Sequence, residues 1–407
     1  MMRNPAVLVV GGGPAGSVTA GLLSRRGHDV LLVDRSTFPR PKPCGECLNP
    51  GAVQLLRELG LLDAVEALSP ARLEGWWIRT GPEVEAGGGF GDGSRYGLAL
   101  RRSDLDATLL QWARVGGTQV IEDFQVTRVD TEGEENRPRV SFRDAEGRKG
   151  DCRPAYVIGA DGLRSVVARS SGLVRRRPGT RKLSLTCHVI GEGPDPSRGH
   201  LYLTPRGVLG MAPLSSDGGC WNLSVVVDAR KEGRRIAANP AAFHREFGGS
   251  VGVPWVSPPK TVAGPWASGP FDWPVRQANR GRIVLVGDAA GYYDPLTGQG
   301  IYRALRSAVM AEEAVDRALR SEFDWERHLE RYGRAWARET TPSRRVQHGI
   351  EYIVRRQRLL RPLLKRAGRS EGSLTGLLRV TGDLARPRTL LRPAAWMPLV
   401  RGGTTRG

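Results

Sequence analysis

The sequence predicts an α/β fold that combines a parallel sheet, an inserted and mostly antiparallel β region, and a helical C-terminal region. Three short apolar runs, at residues 6–10, 156–158 and 282–286, each lead into glycine, which is typical of buried parallel strands. From about residue 182 to 267 the pattern changes to short strands with many turns and few helices, which favours an antiparallel sheet in a separate layer. Beyond Phe323 the pattern is helical.

The first apolar run leads directly into a glycine-rich loop that fits the pattern G-x-G-x-x-G, Gly11-Gly12-Gly13-Pro14-Ala15-Gly16. Gly11 permits the tight turn, Gly13 lets backbone approach a pyrophosphate, and Gly16 lets a helix pack closely on the strand. That helix is predicted from about Ala15 to Arg26. Its first turn, next to Pro14, directs unpaired N–H groups at the phosphates. The loop therefore predicts a dinucleotide site.

Asp34 follows the second predicted strand, residues 30–33, and completes a strand–helix–strand unit. A carboxylate at this place accepts both hydroxyls of an adenosine ribose and repels a 2′-phosphate. Because the two strands, the helix and the terminal acid are all present, the segment predicts a site for FAD or NAD. We also assign the adjacent Arg35 to this site.

Composition indicates an ordinary soluble globular protein, with 40% hydrophobic and 25% charged residues. At 407 residues the chain is long enough for one large or two intergrown domains. No run reaches the roughly 18 apolar residues of a membrane span, and the N-terminal apolar segment is too short for a signal peptide. Five cysteines, an odd number, favour a reducing cytoplasm over a disulfide framework.

The net charge of +19 is concentrated near the C-terminus, where residues 343–407 carry 15 Arg or Lys and three acids. Such a region is either a solvated basic face or a contact with an anionic membrane surface. No zinc-ligand spacing, aromatic RNA-binding motif or basic zipper accompanies it, so we expect no nucleic-acid partner. Helix breaks are expected in this region at Pro342, Pro362 and Gly368.

An irregular, proline-rich segment, residues 36–48, contains the pattern Cys44-Gly45-Glu46-Cys47. A C-x-x-C pattern is compatible with a redox dithiol. Flavoproteins that exchange disulfides, however, carry a second dinucleotide fingerprint, and we find none in this sequence. We therefore favour a close-packed loop over the cofactor. Asn49 and Pro50 then predict the cap and first turn of a helix that ends near Leu59.

Two further local predictions concern the segment between residues 100 and 150. Ser103 is predicted to cap a helix, with Asp106 as the reciprocal capping residue, because S-x-x-D fits the capping pattern. Residues 119–129 and 139–143 are predicted to form two strands joined by a polar turn, as in a hairpin.

Two more strand ends carry glycine and aspartate, Gly159-Ala160-Asp161-Gly162 and Gly287-Asp288. Ligands of open α/β sheets collect at the carboxyl ends of the strands, so we expect both segments to lie beside the glycine-rich loop. Over roughly residues 5–320 the sequence resembles the FAD-dependent family of aromatic hydroxylases, geranylgeranyl reductases and flavin halogenases, with the fold of para-hydroxybenzoate hydroxylase. The three motifs occur in the order found in that family.

The resemblance implies a role for each motif. Asp161 and Gly162 match residues implicated in both FAD and nicotinamide contacts, and the Asp288 carboxylate, after Gly287, would bind the ribityl chain. Arg102 matches an arginine that reaches toward the cofactor, and Cys44 would lie near the flavin in the reductase branch. The residues expected beside the isoalloxazine ring are Pro295, Gly298, Gln299, Gly300 and Ile301.

FAD is thus expected as the resident cofactor, while NADH or NADPH visits transiently because only one dinucleotide fingerprint is present. The cofactor carries the chemistry, so we assign no catalytic acid or base, and no metal ligand. The antiparallel region is expected to cover a pocket for a small apolar substrate. Tyr202, Met211 and Trp221 suit such a pocket, and a plain hydrophobic core accounts for them equally well.

These observations predict three parts: a discontinuous Rossmann-type FAD-binding domain, an inserted and mostly antiparallel β substrate domain, and a basic helical C-terminal region. Their ranges are, in that order, 1–72 with 98–180 and 276–322; 73–97 with 181–275; and 323–407. The protein is expected in the cytoplasm, with possible peripheral membrane contact through the C-terminal region.

The choice of branch rests on three segments. Gly291, where many soluble aromatic hydroxylases carry histidine, and the segment 42–45 resemble the reductases. Against this, residues 207–213 lack the tyrosine and tryptophan pair typical of geranylgeranyl reductases, and no halogenase W-x-W-x-I-P motif is visible. We therefore predict an FAD monooxygenase that uses NAD(P)H and O₂ on an apolar aromatic, polyketide-like or lipid-like substrate in secondary metabolism. The alternative is a geranylgeranyl-reductase-like enzyme that saturates isoprenoid double bonds.

Overall fold

The structure is a computed structural model that describes residues 4–81, 83–91, 93–131, 137–175, 182–321, 323–369 and 372–391. Its strands are β1 (Val7–Val10), β2 (Val30–Val33), β3 (Cys47–Leu48), β4 (Ala71–Leu73), β5 (Gly75–Arg79), β6 (Glu85–Gly89), β7 (Gly97–Ala99), β8 (Gln119–Ile121), β9 (Gln125–Asp130), β10 (Arg139–Arg143), β11 (Lys149–Cys152), β12 (Tyr156–Gly159), β13 (Lys182–Ile190), β14 (Arg198–Leu203), β15 (Gly207–Pro213), β16 (Cys220–Asp228), β17 (Lys260–Ser268), β18 (Asn279–Arg280) and β19 (Ile283–Leu285).

The helices fall into three groups: those around the first sheet, two between residues 229 and 251, and those after residue 320. They are α1 (Pro14–Arg25), α2 (Pro50–Glu58), α3 (Leu62–Glu66), α4 (Arg102–Val115), α5 (Val166–Ser170), α6 (Ala229–Ala238), α7 (Pro240–Val251), α8 (Gly300–Arg320), α9 (Trp325–Val354), α10 (Gln357–Ala367) and α11 (Thr375–Thr381). Short 3₁₀ turns cover Gly287–Ala290, Pro295–Thr297 and Pro387–Leu391.

The three apolar runs are neighbouring strands of one six-stranded sheet, in the order β18-β19-β12-β1-β2-β8. β1 lies between β12 and β2 and is parallel to both, with Val7 opposite Tyr156 and Val30. β19 continues the sheet in parallel beside β12. All residues of β1, β2 and β12 are buried, as expected for strands covered by helices on both faces. The α/β prediction is therefore confirmed, and the carboxyl ends of these strands meet at one edge.

A seven-stranded sheet, in the order β17-β13-β16-β15-β14-β5-β6, forms the second layer. Its neighbouring strands are antiparallel except for β14 and β5. The predicted antiparallel region is thus present, and two strands from before residue 90 join it. Two three-stranded sheets, β11-β10-β9 and β3-β7-β4, complete the β structure that the described residues show.

The two faces of the seven-stranded sheet differ. On the face that we call the outer face, Tyr202, Met211 and Trp221 pack with Phe243 and Phe247 of α7. The expectation that these three side chains line a substrate pocket is wrong, since they belong to the hydrophobic core between the sheet and a helix. Alternation along each strand puts their neighbours on the inner face.

The inner face is divided into an apolar and a polar part. Leu203 and Val208 pack under Leu360 and Leu364 of α10. The polar part carries Thr186, His188, Asn222 and Ser224, of which the first three are buried. This polar part contacts the loop that contains Cys44, so the inner face is the one that points toward the first sheet.

The C-terminal helices are longer than predicted. α9 continues through Pro342 and α10 through Pro362, so these two predicted breaks are wrong, and the chain turns instead at Arg355–Arg356. α10 ends at Ala367, in agreement with the break predicted at Gly368. Both prolines are exposed, on the side away from the buried faces, so packing of those faces outweighs the lost helical bond, which costs about 3 kcal/mol. No helix among the described residues is long and apolar enough to cross a bilayer.

Two local predictions before residue 150 were wrong in part, although the predicted antiparallel pairing with residues 139–143 is present. α4 begins at Arg102 with no side-chain cap, and Ser103 hydrogen-bonds the neighbouring Asp104 instead of the helix end. The strand predicted over 119–129 is interrupted at Asp123, whose φ is +52°. Its first part, β8, joins the six-stranded sheet, and its second part, β9, pairs with β10.

Candidate active site

The glycine-rich loop is shaped by close backbone contacts. A Cβ atom at Gly16 would lie 1.8 Å from the Gly11 carbonyl oxygen, and one at Gly11 would lie 2.4 Å from that of Ala160. At Gly13, in contrast, a Cβ would approach only the Arg40 guanidinium, at 3.9 Å. No side chain caps α1. The N–H groups of its first turn are therefore accessible for a phosphate.

Asp34 is buried at the end of β2 and holds the glycine-rich loop. Its Oδ2 accepts a hydrogen bond from Gly12 N at 2.7 Å, and its Oδ1 accepts one from Ser36 N at 2.8 Å. Each carboxylate oxygen can accept a further bond, so the pair of ribose hydroxyls fits. Arg35, assigned to the same site, is exposed and lines a surface depression of about 340 Å³.

Asp161 follows β12 and has a divided role. Its Oδ2 accepts hydrogen bonds from Val166 N at 2.5 Å and Val167 N at 3.3 Å, so it caps α5. Its Oδ1 is buried and has no partner among the described residues. Burial raises the pKa of this carboxyl. Gly162 adopts φ +78°, which favours glycine. One oxygen thus shapes the turn, and the other is available to a ligand.

Asp288 lies at the end of β19, beside the glycine-rich loop. A Cβ at Gly287, whose φ is +58°, would lie 2.9 Å from the Ala15 side chain, so the first and third motifs touch. Within the part of the chain that the structure describes, no side chain or backbone N–H hydrogen-bonds the Asp288 carboxylate. Burial raises its pKa, against the opposing charges of Lys42 and Arg102. Such a carboxylate needs polar partners, which ligand hydroxyls would supply.

The predicted isoalloxazine-binding loop is a 3₁₀ turn, Pro295–Thr297, followed by Gly298 in the left-handed conformation at φ +66°. α8 then begins at Gly300, and no side chain caps it. Ile301, also assigned to the cofactor, is buried in a hydrophobic core. The open helix end at Gly300 can stabilise negative charge on a bound ring.

The side chain of Gln299 points toward the C-terminal region. Its Nε2 donates to Asp383 Oδ1 at 2.7 Å, and its Oε1 accepts from Ser343 Oγ at 3.2 Å. Asp383 Oδ2 also accepts from Asn49 Nδ2 at 2.7 Å. Burial raises the pKa of Asp383 to about 7. Only the backbone of Gln299 is thus free for a cofactor, and the sequence analysis missed the C-terminal residues that hold this loop.

Arg102 is buried and paired with Asp106 through two bonds of 2.8 Å, Nε to Oδ1 and Nη2 to Oδ2. The Cys44 side chain lies close enough to act on the charge of Arg102. Burial opposes its charge, yet the Asp106 carboxylate holds the pKa of Arg102 above its usual value. Asp106 therefore orients Arg102 rather than capping α4. The cation lies near both Cys44 and Asp288.

Glu46 joins the Cys44 loop, which is the irregular segment of residues 36–48, to the polar part of the inner face. It is buried, with φ +57°. Its Oε2 accepts from His188 Nε2 and from Asn222 Nδ2, each at 2.7 Å, and its Oε1 accepts from Arg102 N at 2.8 Å. Asn222 Nδ2 also donates to the Cys44 carbonyl at 2.9 Å. This network fixes the loop, and it was not predicted because its members are far apart in sequence.

Cys44 and Cys47 are both free thiols in the structure. Cys47 Sγ donates to the Gly45 carbonyl at 3.2 Å. Burial, with a smaller contribution from Cys44, raises the pKa of Cys47. A thiol with a raised pKa is a poor nucleophile, so the arrangement does not favour disulfide exchange.

Lys42 is a further charged group at the site. A Cβ at Gly162 would lie 3.8 Å from its Nζ. Burial lowers the pKa of Lys42, and the Asp288 carboxylate opposes that shift. The sequence analysis used Lys42 only to choose between branches. Its position between two proline residues, in a loop expected over the cofactor, was the available signal.

The residues at this edge fit FAD. The open end of α1 suits a pyrophosphate, Asp34 suits an adenosine ribose, and Asp288 suits the hydroxyls of a ribityl chain. The open end of α8 and the Cys44 loop then flank the place left for the ring. The fold and these groups together define a flavin-dependent oxidoreductase.

Comparison with known proteins identifies the family. A family model described as an FAD binding domain matches residues 4–334, and the chain belongs to this family. The resemblance noted from the three motifs is thereby confirmed, and FAD is supported as the cofactor.

The curated relatives include reductases. The chain is 30% identical over 334 residues to the menaquinone reductase of Mycobacterium tuberculosis (strain ATCC 25618 / H37Rv), with 76% of each chain covered. It is 28% identical over 401 residues to the menaquinone reductase of Mycolicibacterium smegmatis, with 94% of this chain and 93% of the relative covered. The latter likeness includes the C-terminal helices.

Solved structures share the fold. The p-nitrophenol 4-monooxygenase PnpA from Pseudomonas putida has a TM-score of 0.73 at 19% identity, with 94% of this chain and 97% of that chain covered. At this identity the likeness concerns the fold alone. The α/β architecture with its inserted antiparallel sheet is therefore that of a known flavoprotein class.

Proposed function

We propose that this protein is an FAD-dependent reductase that saturates a carbon–carbon double bond in the isoprenoid chain of a lipid such as a prenylated quinone. The observation that carries the proposal is the 28% identity over 401 residues to a protein named menaquinone reductase, which covers nearly the whole of both chains. The reductase-like segment 42–45 and Gly291 agree with it.

The site offers what such a reduction needs from the protein. FAD, when bound and reduced, would supply a hydride to one carbon of the double bond, and the other carbon would take a proton. The Cys44 thiol, at the loop over the cofactor, is the group that we assign as the proton donor. Its neighbour Arg102 stabilises the thiolate that remains, and solvent returns the proton. NADH or NADPH, visiting transiently, restores the two electrons.

The apolar part of the inner face is occupied by α10, with Leu203 and Val208 packed under Leu360 and Leu364. A long apolar substrate would therefore enter beside α10. One of its double bonds would then lie at the polar part of the face, which holds the Cys44 loop. Charged Arg102 and Glu46, fixed by Asp106 and His188, give that end a rigid geometry, which limits misplacement of the reacting carbon.

A monooxygenase is the second candidate. It is favoured by β15, Gly207–Pro213, which lacks the tyrosine and tryptophan pair typical of geranylgeranyl reductases. In that case the same site would place an electron-rich ring or alkene beside the cofactor, exclude water and use O₂ with NAD(P)H. Hydroxylation on an apolar substrate in secondary metabolism is then the activity.

Oxygen separates the two candidates. The FAD-loaded protein is incubated without oxygen with NADPH or NADH and a prenylated quinone or a digeranylgeranyl glycerophospholipid, and products are analysed by mass spectrometry. We expect products that have gained one H₂ per reduced double bond, with deuterium at the protonated carbon when D₂O replaces water. No anaerobic product, together with incorporation of labelled oxygen in air, would replace the reductase by the monooxygenase.

The role of Cys44 is tested in the same assay. Cys44→Ser should lower turnover by about a hundredfold, the usual loss for a missing proton donor, while FAD stays bound. Cys47→Ser, in the same loop, is the matched control and should stay within about threefold of the unsubstituted protein, because that thiol has no assigned part. Equal losses in both variants would assign the activity to a dithiol and refute the assignment of Cys44 as the proton donor.

A further inference from the structure

We propose that α10, residues Gln357–Ala367, with its flanking residues is a docking surface for an anionic lipid bilayer. The proposal stands on the surface chemistry of this helix and is independent of the reaction at the flavin site. It assigns to one short element the membrane contact that the charge of the whole C-terminal region only suggested.

The inner side of α10 fixes how the helix faces solvent. Leu360, Leu364 and Ala367 are buried against the inner face of the seven-stranded sheet, together with Ala86 of β6. Because these positions are three or four residues apart, they occupy one face of the helix. The residues between them are directed away from the protein.

Apolar side chains are exposed on that outer surface. Leu359 is 43% exposed and Leu363 is 46% exposed. The two lie one turn apart, with the exposed Pro362 beside them. Two leucines in adjacent turns of a surface helix form an apolar stripe that has no cover among the described residues. An apolar layer beyond the described residues is therefore needed to bury the stripe.

Basic residues surround the leucine stripe. Between residues 352 and 369 there are seven Arg or Lys and no Asp or Glu. Arg355 is paired with the buried Glu351, and Arg356 stacks on the Tyr352 ring at 3.6 Å. Exposed cations on the helix itself include Arg358, Arg361 and Lys365. The stripe is thus bordered by positive charge.

A short helix with leucines and cations on its outer surface fits the bilayer interface. Such a helix lies in the plane of the headgroups, inserts its apolar side chains below them and pairs its cations with anionic lipids. A nucleic acid would neutralise the cations but would leave Leu359 and Leu363 exposed. The combination therefore favours an anionic membrane surface over RNA or DNA.

The test is sedimentation of the full-length, FAD-loaded protein with vesicles of phosphatidylcholine alone or mixed with phosphatidylglycerol. We expect binding to the mixed vesicles that is at least about tenfold stronger than to neutral ones and that falls as salt is raised. Equal binding to both vesicles, or binding to RNA without binding to mixed vesicles, overturns the proposal.

Two matched pairs of variants assign the surface. Leu359→Ser/Leu363→Ser should weaken binding about tenfold, while Val256→Ser/Val262→Ser, at valines that are 71% and 46% exposed elsewhere, should leave it unchanged. An equal loss of vesicle binding in the leucine variant and the valine variant would mean that α10 is not the docking element.

The second pair removes charge. Its members are Arg358→Gln/Arg361→Gln/Lys365→Gln on α10 and Arg327→Gln/Arg331→Gln/Arg338→Gln on α9, all exposed positions. The α10 variant should lose binding by about tenfold or more, and the α9 variant, with the same net charge, should not. Similar loss in both would refute a local site in favour of a diffuse basic surface. Unchanged flavin content and thermal midpoint verify that each variant is folded.

Discussion

The two faces of the seven-stranded sheet meet different demands. The outer face packs against α7 in a hydrophobic core rich in aromatic residues, in which Trp221 is fully buried. The polar part of the inner face instead holds a chain of bonds, from His188 and Asn222 through Glu46 to the Cys44 loop. The outer face of the sheet therefore stabilises the fold, and the inner face positions the Cys44 loop.

The histidines of the two faces show the same contrast. His200, on the outer face near Trp221, is buried, with Nε2 bonded to the Asp195 carbonyl and Nδ1 facing Arg79. His188, on the inner face, has a carboxylate partner in Glu46. A buried histidine between a carbonyl and a guanidinium is held neutral. The bond from His188 to Glu46 instead joins the sheet to the loop that contains Cys44.

The largest effect is expected for Trp221→Ala, which should destabilise the protein by about 3–5 kcal/mol through loss of buried area and a cavity. The variant also leaves the Gly218 carbonyl without its bond from the indole N–H. Chemical denaturation measures the change. Trp266→Ala, at a half-buried tryptophan beside His188, is the control and should cost less. An equal cost would remove the distinction between the faces.

The next effect is a pH dependence from His200. Burial lowers its pKa to about 4, from about 6.5 in the unfolded chain. The unfolded state therefore binds the proton first, and stability should fall by about 3 kcal/mol as pH drops from 6.5 to 4. His200→Gln, which can keep both hydrogen bonds without titrating, should flatten this part of the profile. A variant with an unchanged pH profile would assign the loss to other groups.

On the inner face, Glu46→Gln should cost about 1–3 kcal/mol, because an amide NH₂ would then face donors from Arg102 N, His188 or Asn222. The variant should also weaken FAD binding, since the Cys44 loop loses its anchor. Flavin fluorescence on titration with FAD measures this second effect. Trp221→Ala, tested below its unfolding transition, should leave FAD affinity unchanged, and a shared loss would contradict the division of roles.

The smallest effect is expected for Ser224→Ala. Its hydroxyl contacts the Cys44 carbonyl at 3.3 Å and Thr186 Oγ1 at 3.0 Å. Because Asn222 still bonds that carbonyl, the loss should be below about 1 kcal/mol. Thermal unfolding should show a shift of a few degrees at most, and a larger shift would indicate that the loop depends on this hydroxyl.

The strand-end motifs could be predicted because each is continuous in sequence: an apolar strand, a glycine turn and, at Asp34, Asp161 and Asp288, a carboxylate. Parallel pairing then brings them together without further information. The family and the α/β fold followed from the same three segments.

Other features could not be predicted from local pattern. Alternation shows which residues of a strand share a face but not which face points to the cofactor. The sequence therefore left Trp221 between a substrate pocket and a hydrophobic core, and the structure shows the core. Glu46 and His188 are 142 residues apart, and Asp383 and Asn49 are 334 apart. Such polar contacts leave no periodic signal. The helix breaks predicted at Pro342 and Pro362 do not occur, because α9 and α10 are held by packing against parts of the chain that are distant in sequence.

The bonds of Asp383 to Asn49 and Gln299 have a consequence for biosynthesis. All three glycine motifs are complete once the ribosome has passed residue 300. The hydrogen bond that fixes the loop between Gly298 and Gly300, however, is made by Asp383, which is synthesised 84 residues after Gln299. A nascent chain can therefore form the sheet edge early and gains the fixed loop only after Asp383 has been made.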